Sequence, residues 1–211
     1  MTPLVVAFAL GGLAVGLGAD RLAARWPTHE DGRVRRPDWR TLVLAAGGAA
    51  AFAALPTRWG EPLELAVLGA WFGALLVLAA TDLDQRLLPD LITLPLIPVA
   101  FALVWLDLDP LLIGKELPLP SALLAGIGAP AILFVVDRVS RGALGGGDLK
   151  LAVSLGLMSG VTRLFAGFVT ASIAAAVLIL GLIAARRLTL RTAIPYGPIL
   201  IASGILAALR P

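Results

Sequence analysis

The sequence predicts an all-α, polytopic integral membrane protein of about eight transmembrane helices. Three observations carry that expectation. Hydrophobic residues make up 59% of the 211 residues, charged residues only 15%, and the mean hydropathy is +0.93. A soluble domain of this size does not need so much apolar surface. The apolar residues run in whole segments, so the periodicity of a half-buried helix or strand is lost. The basic residues gather in loops between these segments, on alternate sides, as the positive-inside rule requires. That placement also sets aside nucleic acid as a partner, despite an isoelectric point near 10.2.

Eight apolar segments follow in order, at about 3–19, 41–56, 64–82, 91–107, 120–136, 149–161, 164–184 and 195–209. A helix needs roughly 20 residues to cross a bilayer. The first segment lacks a basic flank before it, and Arg21 and Arg25 follow it, so it reads as a retained helix rather than a signal peptide. The second is short. The third ends in Asp82, and the fourth opens after Pro89-Asp90. The fifth is continuous. The sixth is the shortest, and a tilted or partly re-entrant path is tolerated where it lines an enclosed cavity. The seventh and eighth flank a loop rich in arginine. Gly12 and Gly16, Gly69 and Gly73, and Gly156 and Gly160 have the small-xxx-small spacing that permits close helix packing.

The connections after segments 1, 3, 5 and 7, with Lys150 at a loop edge, hold 13 of the 17 Lys and Arg. Arg58, Lys115, Arg163 and Arg210 lie on the other side. The odd connections are therefore expected in the cytoplasm and both termini outside. The chain is expected to form one membrane domain over residues 1–211, with a basic loop at 20–40 too short to fold alone. Six arginines in that loop point to anionic lipid head groups as a partner. There is no cysteine, hence no disulfide and no thiolate zinc site, and the single histidine, His29, cannot build a histidine cluster. No metal and no cofactor are expected.

Two aspartates stand where apolar runs meet short polar loops: Asp82 in Thr81-Asp82-Leu83-Asp84-Gln85-Arg86-Leu87-Leu88-Pro89-Asp90, and Asp148 in Gly145-Gly146-Gly147-Asp148-Leu149-Lys150. Ionisable groups at membrane depth are functional-site candidates by default. Both fall at the same side of the membrane, so they can meet. A plain structural role competes with each. Asp148 could be the N-cap of segment 6, and Asp90 the N-cap of segment 4 with Thr93 in its first turn. Asp84 reads as a solvated charge or a partner of Arg86. Asp82 continues an apolar helix rather than opening one, which favours function.

Thr81 to Pro95 resembles the first aspartate motif of the type IV prepilin peptidases. Gly145-Gly146-Gly147-Asp148-Leu149-Lys150 resembles their second, the GxGD motif of intramembrane aspartyl proteases. Ile194-Pro195-Tyr196-Gly197-Pro198 is similar to a stretch before their last helix. The match covers roughly 63–205. The resemblance implies a leader peptidase in a prokaryotic inner membrane, with Asp82 and Asp148 as the catalytic pair. Gly145, Gly147 and Lys150 would shape the second motif. It implies substrates of the prepilin or pseudopilin kind, whose short basic leader is cut before an apolar helix. Many members carry a cysteine-rich, zinc-binding insert linked to N-methylation by S-adenosylmethionine. Here the corresponding loop is short and has no cysteine, so methyl transfer is not expected. Two other readings compete. A presenilin-like protease would have tyrosine before its first aspartate and a Pro-Ala-Leu motif, where this chain has Thr81 and no such motif. A transporter or assembly scaffold using the aspartates for ions would favour an inverted repeat, and none is evident.

Overall fold

The computed structural model describes residues 2–28, 34–114, 117–139, 144–186 and 196–210. Among these there are seven helical elements and no strand: α1 (Thr2–Ala23), α2 (Trp39–Arg58), α3 (Pro62–Gln85), α4 (Asp90–Trp105), α5 (Pro118–Val139), α6 (Gly146–Ala184) and α7 (Gly197–Leu209). His29, Lys115, Arg141 and the residues 187–195 lie outside the described residues.

Each apolar segment read from the sequence is helical among the described residues, and the sixth and seventh lie in α6, on either side of a break. That element has 39 residues, and a straight helix of that length would measure about 58 Å, nearly twice the hydrocarbon core. It is broken at Gly160, whose φ of 62° and ψ of 179° lie outside the helical region. Only glycine adopts this conformation at low cost. The chain turns back there: Gly204 of α7 packs against Leu155 before the break, and Gly167 after the break packs against Ser203 and Ala207. Five helices are long and apolar enough to cross a membrane: α1, α2, α3, α5 and α6. At 16 and 13 residues, α4 and α7 fall short of that length. The expected count of eight crossings is not fixed by length, since α6 carries two of the expected segments, one on each side of its break. The two remaining apolar helices are short, and two of the expected segments share one broken helix.

The outward faces are apolar. Leu10, Leu124 and Ile127 are 63%, 68% and 70% exposed. In water such surfaces would form a large sticky patch, whereas hydrocarbon solvates them. The glycine spacing holds at two of its three places. A Cβ on Gly12 or Gly16 would overlap the α2 backbone at Gly48 or Leu44, so α1 and α2 pack backbone to backbone and antiparallel. Gly156 approaches Ala125 of α5 in the same way, and a Cβ on Gly160 would come 2.7 Å from Ser121 Oγ. Gly69 and Gly73 have only ordinary contacts, with Phe52 and Val15.

The core is organised on α3. Leu68, Phe72, Leu75 and Leu78 are fully buried, at the three- and four-residue steps of one helix face. Another four-residue step reaches Asp82, so the apolar stripe delivers this carboxylate to the interior. Leu55, Leu151, Leu155 and Met158 complete the core from α2 and α6.

The described residues of the segment 20–40 are more ordered by internal ion pairs than an unfolded loop would be. Asp20 is fully buried and pairs with Arg21 and Arg35, and accepts from Thr41 Oγ1 at 2.8 Å. Arg35 also meets Asp38 at 2.8 Å and Asp84 at 2.7 Å, and Arg40 meets Asp84 at 2.7 Å. Asp38 caps α2, and Gln85 Nε2 donates to Pro27 O at 2.7 Å. Arg21, Arg35 and Arg40 are thereby bound internally, while Arg25 and Arg36 remain exposed. The physical reason is that acids interleave with these arginines, and pairing within the fold competes with lipid.

At the far end, in the connection between α4 and α5, Asp109 is buried and accepts from Leu111 N–H at 2.9 Å. Burial pushes its carboxyl up to about 7, against the opposing effects of that hydrogen bond and of Arg163. A raised carboxyl binds its proton more tightly in the folded chain, so this group's stability contribution is lost as pH rises from the ordinary carboxylate range toward 7. Asp109→Asn is expected to melt higher than the unaltered protein at about pH 8 and equally at about pH 4. Thermal melts in detergent at both pH values check this.

Candidate active site

Asp82 occupies the last turn of α3 and is 6% exposed. The helix stops four residues on, where Arg86 takes the left-handed conformation with φ 54° and returns its N–H to Asp82 O at 2.9 Å. Such a cap turns the chain sharply. Leu87, Leu88 and Pro89 then lead into α4. Asp148 arrives from the other side, in the first turn of α6. Together with Arg86, Leu88, Asp90 and the glycines 145–147, the two aspartates line one cavity of about 330 Å³.

The local reasons for Asp148's position are partly those the sequence offers. It is not the N-cap; Gly145 is. Asp148 sits three residues later and reaches back, its Oδ2 accepting from Gly145 N–H at 3.0 Å. A carboxylate at that position satisfies an otherwise unpaired amide and suits the positive helix end. Gly147 matters for approach: a Cβ there would come 2.8 Å from Leu88 Cβ, so the glycine lets the α6 start close on the α3–α4 turn. Gly146 has open space where a Cβ would lie. Lys150 Nζ pairs with Asp90 Oδ1 at 2.6 Å, at the rim.

Two sequence readings are corrected here. Asp90 is the first residue of α4 rather than its N-cap; Pro89 holds that position, and Asp90 is spent on Lys150. Thr93 Oγ1 bonds Pro89 O at 3.2 Å instead of meeting a cap carboxylate. Asp84 is not a solvated charge. Its side chain is 2% exposed and bridges Arg35 and Arg40. The next turn of α3 past the apolar stripe faces the 20–40 segment, and the sequence has no local mark of that contact.

A further residue joins the site without having been singled out for it. Gly197 opens α7 directly against Asp82: a Cβ there would sit 2.5 Å from Asp82 Oδ2 and 2.7 Å from its Cγ. Asp82 Oδ2 is buried and has no hydrogen-bond partner among the described residues. Tyr196, just before α7, has its ring centroid 6.4 Å from that of Phe168. The Pro-aromatic-Gly-Pro run was the available signal; its role could not be read without the packing of α7 on α3. Among the described residues no group of three or more His, Cys, Asp or Glu is placed to hold a metal ion. What remains is a pair of carboxylates at one cavity, one fixed by a backbone amide and the other with a free oxygen. Such a pair is suited to acid and base chemistry on a single bound group.

The model of the type IV leader peptidase family matches residues 69–180, which include both aspartates. The chain belongs to the type IV leader peptidase family. Among its relatives, the prepilin leader peptidase/N-methyltransferase of Bacillus subtilis (strain 168) is 31% identical over 164 residues, covering 76% of this chain and 62% of the relative. The protein of the same description from Pseudomonas putida is 32% identical, over 72% of this chain and 52% of its own length. That from Burkholderia pseudomallei (strain K96243) is 33% identical, over 77% and 52%. The chain spans about half to three-fifths of the length of these leader peptidase relatives. No solved structure matches it.

Proposed function

We propose that the protein is an intramembrane aspartyl endopeptidase that removes the basic leader of type IV prepilin-like or pseudopilin substrates. The single observation that carries this reading is the convergence of Asp82 and Asp148 on one cavity at one end of the helices. Family membership supports the substrate class, since the relatives are described as prepilin leader peptidases.

In the proposed reaction the two carboxylates hold one proton between them, and their titration belongs to the pair. The ionised member takes a proton from a water as its oxygen attacks the scissile carbonyl carbon. The protonated member donates a hydrogen bond to the carbonyl oxygen. In collapse of the tetrahedral intermediate the C–N bond breaks and the leaving nitrogen receives a proton from the pair. One water is consumed, and the products are a leader carboxylate and a new amine. The Gly145 amide orients Asp148, and Gly197 keeps the space over Asp82 clear.

The protein works in the inner membrane of a prokaryote, with Asp82 and Asp148 at the cytoplasmic face; the 13-to-4 division of basic residues supports that orientation. Single cysteines at Thr28 and Gly60, both exposed, report it through an impermeant thiol reagent in intact cells. Gly60→Cys is expected to be labelled and Thr28→Cys protected; the reverse would overturn the orientation.

Methyl transfer belongs to the description of the relatives. We do not extend it to this chain, which has no cysteine to form a thiolate zinc site. The test incubates purified protein with a prepilin and labelled S-adenosylmethionine, then weighs the products. Cleavage after the leader glycine with an unmethylated new amine is expected. Intact substrate would refute the peptidase reading, and a methyl added by this protein would refute the restriction.

A further inference from the structure

A second cavity, of about 310 Å³, opens on the apolar side of α5, α6 and α7. Its lining runs on α5 from Leu124 to Val136, a length of about 18 Å along the helix. The floor is made of small residues, Ala125, Gly128, Ala129 and Ala152. At Gly128 an added Cβ would meet nothing within 4 Å, so the floor is open above it. Small residues in such a floor let another helix bring its backbone close, which is how helices associate in lipid.

The groove adjoins the candidate active site. Tyr196 lines it and is followed directly by Gly197, which packs on Asp82. The Val136 end lies beside the turn that carries Asp148, where Leu144 N–H donates to Asp137 Oδ1 at 2.9 Å. The opposite flank of the site carries charge at its rim. Leu88 packs on Gly147, and the Lys150–Asp90 ion pair spans the rim. A chain whose peptide bond lies between the two aspartates therefore has an apolar path into the bilayer on the Tyr196 side.

We propose that this groove docks the apolar helix that follows the scissile bond of the substrate, with the helix start at Tyr196 and its first three turns along α5. The proposal rests on the leader peptidase reading and adds the surface that holds the substrate. Docking there fixes the distance from helix start to the aspartates, so the cut falls at a constant place before the helix.

The chain has no cysteine, so single cysteines report contacts without background. Ile132 in the groove and Leu10 on α1 are 66% and 63% exposed, which makes them matched positions. The probe is a polypeptide with a Lys/Arg leader ending in Gly, then an apolar helix of about 20 residues, carrying one cysteine in its first three turns. Each enzyme cysteine is placed in the Asp82→Asn background, to hold uncleaved substrate, and the mixture is oxidised in bilayers. Disulfide yield at Ile132→Cys is expected to exceed that at Leu10→Cys by roughly tenfold or more, because a docked helix is held at a high effective concentration. Equal yields would mean that lipid alone fills the groove. Disulfides joining two enzyme copies at Ile132→Cys would mean a second copy occupies it. Either result overturns the proposal. In otherwise unaltered enzyme, Gly128→Phe should fill the open floor without an internal clash. It should raise KM roughly tenfold with little change in kcat; an unchanged KM contradicts docking. Cleavage by the unaltered enzyme without preference for Ile132→Cys would leave the peptidase reading standing and remove the groove. Absence of cleavage would remove the peptidase reading itself.

Discussion

Asp82→Asn and Asp148→Asn are each expected to lower leader cleavage by roughly 10²–10⁴-fold, the range for losing a positioned proton-transfer group. Asparagine keeps the size of the side chain and loses its acid and base function. The two substitutions should be grossly non-additive, since the pair works as one unit. Cleavage of a purified prepilin in detergent, followed by the mass of the products, measures this. Asp84→Asn is the informative contrast. That carboxylate is buried against Arg35 and Arg40, and neutralising it leaves two arginines short of a partner, so its effect should fall on thermal stability more than on turnover. Normal turnover by either Asp82→Asn or Asp148→Asn would end the assignment of the pair.

Gly197→Ala is expected to cost roughly 10²-fold in turnover, the scale of a displacement of about 1 Å in a reacting group. An added Cβ would lie 2.5 Å from Asp82 Oδ2, and the nearest atoms all belong to that carboxylate. The end of a side chain yields more readily than a helix backbone, so the carboxylate should move while the fold persists. Alanine is also a better helix former than glycine at the start of α7. A normal melting temperature with lost turnover is the expected combination. Unchanged cleavage by Gly197→Ala would show that the space above Asp82 is not needed.

The apolar runs made the helices legible, because a membrane segment must satisfy its backbone internally and hydrocarbon accepts only apolar side chains. The two aspartates were legible for the converse reason: a charge at the end of such a run is costly unless used. Contacts between distant segments were not. Asp84 looks like its loop neighbours until α3 is packed on the 20–40 segment, where Arg35 and Arg40 enclose it. Gly197 looks like a helix-starting glycine until α7 meets α3. The sharp turn between the sixth and seventh segments rests on the backbone of Gly160, and a glycine in a small-xxx-small pair carries no mark of a positive φ. The internal pairing of Arg21, Arg35 and Arg40 was not legible because arginine count ignores the interleaved acids, Asp20 and Asp38, that claim those arginines.

Whether Asp82 and Asp148 share one working site in the membrane is measured most directly by bridging them. In this cysteine-free chain, the double variant Asp82→Cys/Asp148→Cys is treated in native membranes with a short bifunctional thiol reagent, digested and weighed. A single intramolecular bridge joining the two peptides is expected, formed at low protein concentration and blocked by prior addition of a prepilin. Mono-adducts at both cysteines without a bridge would contradict a shared site.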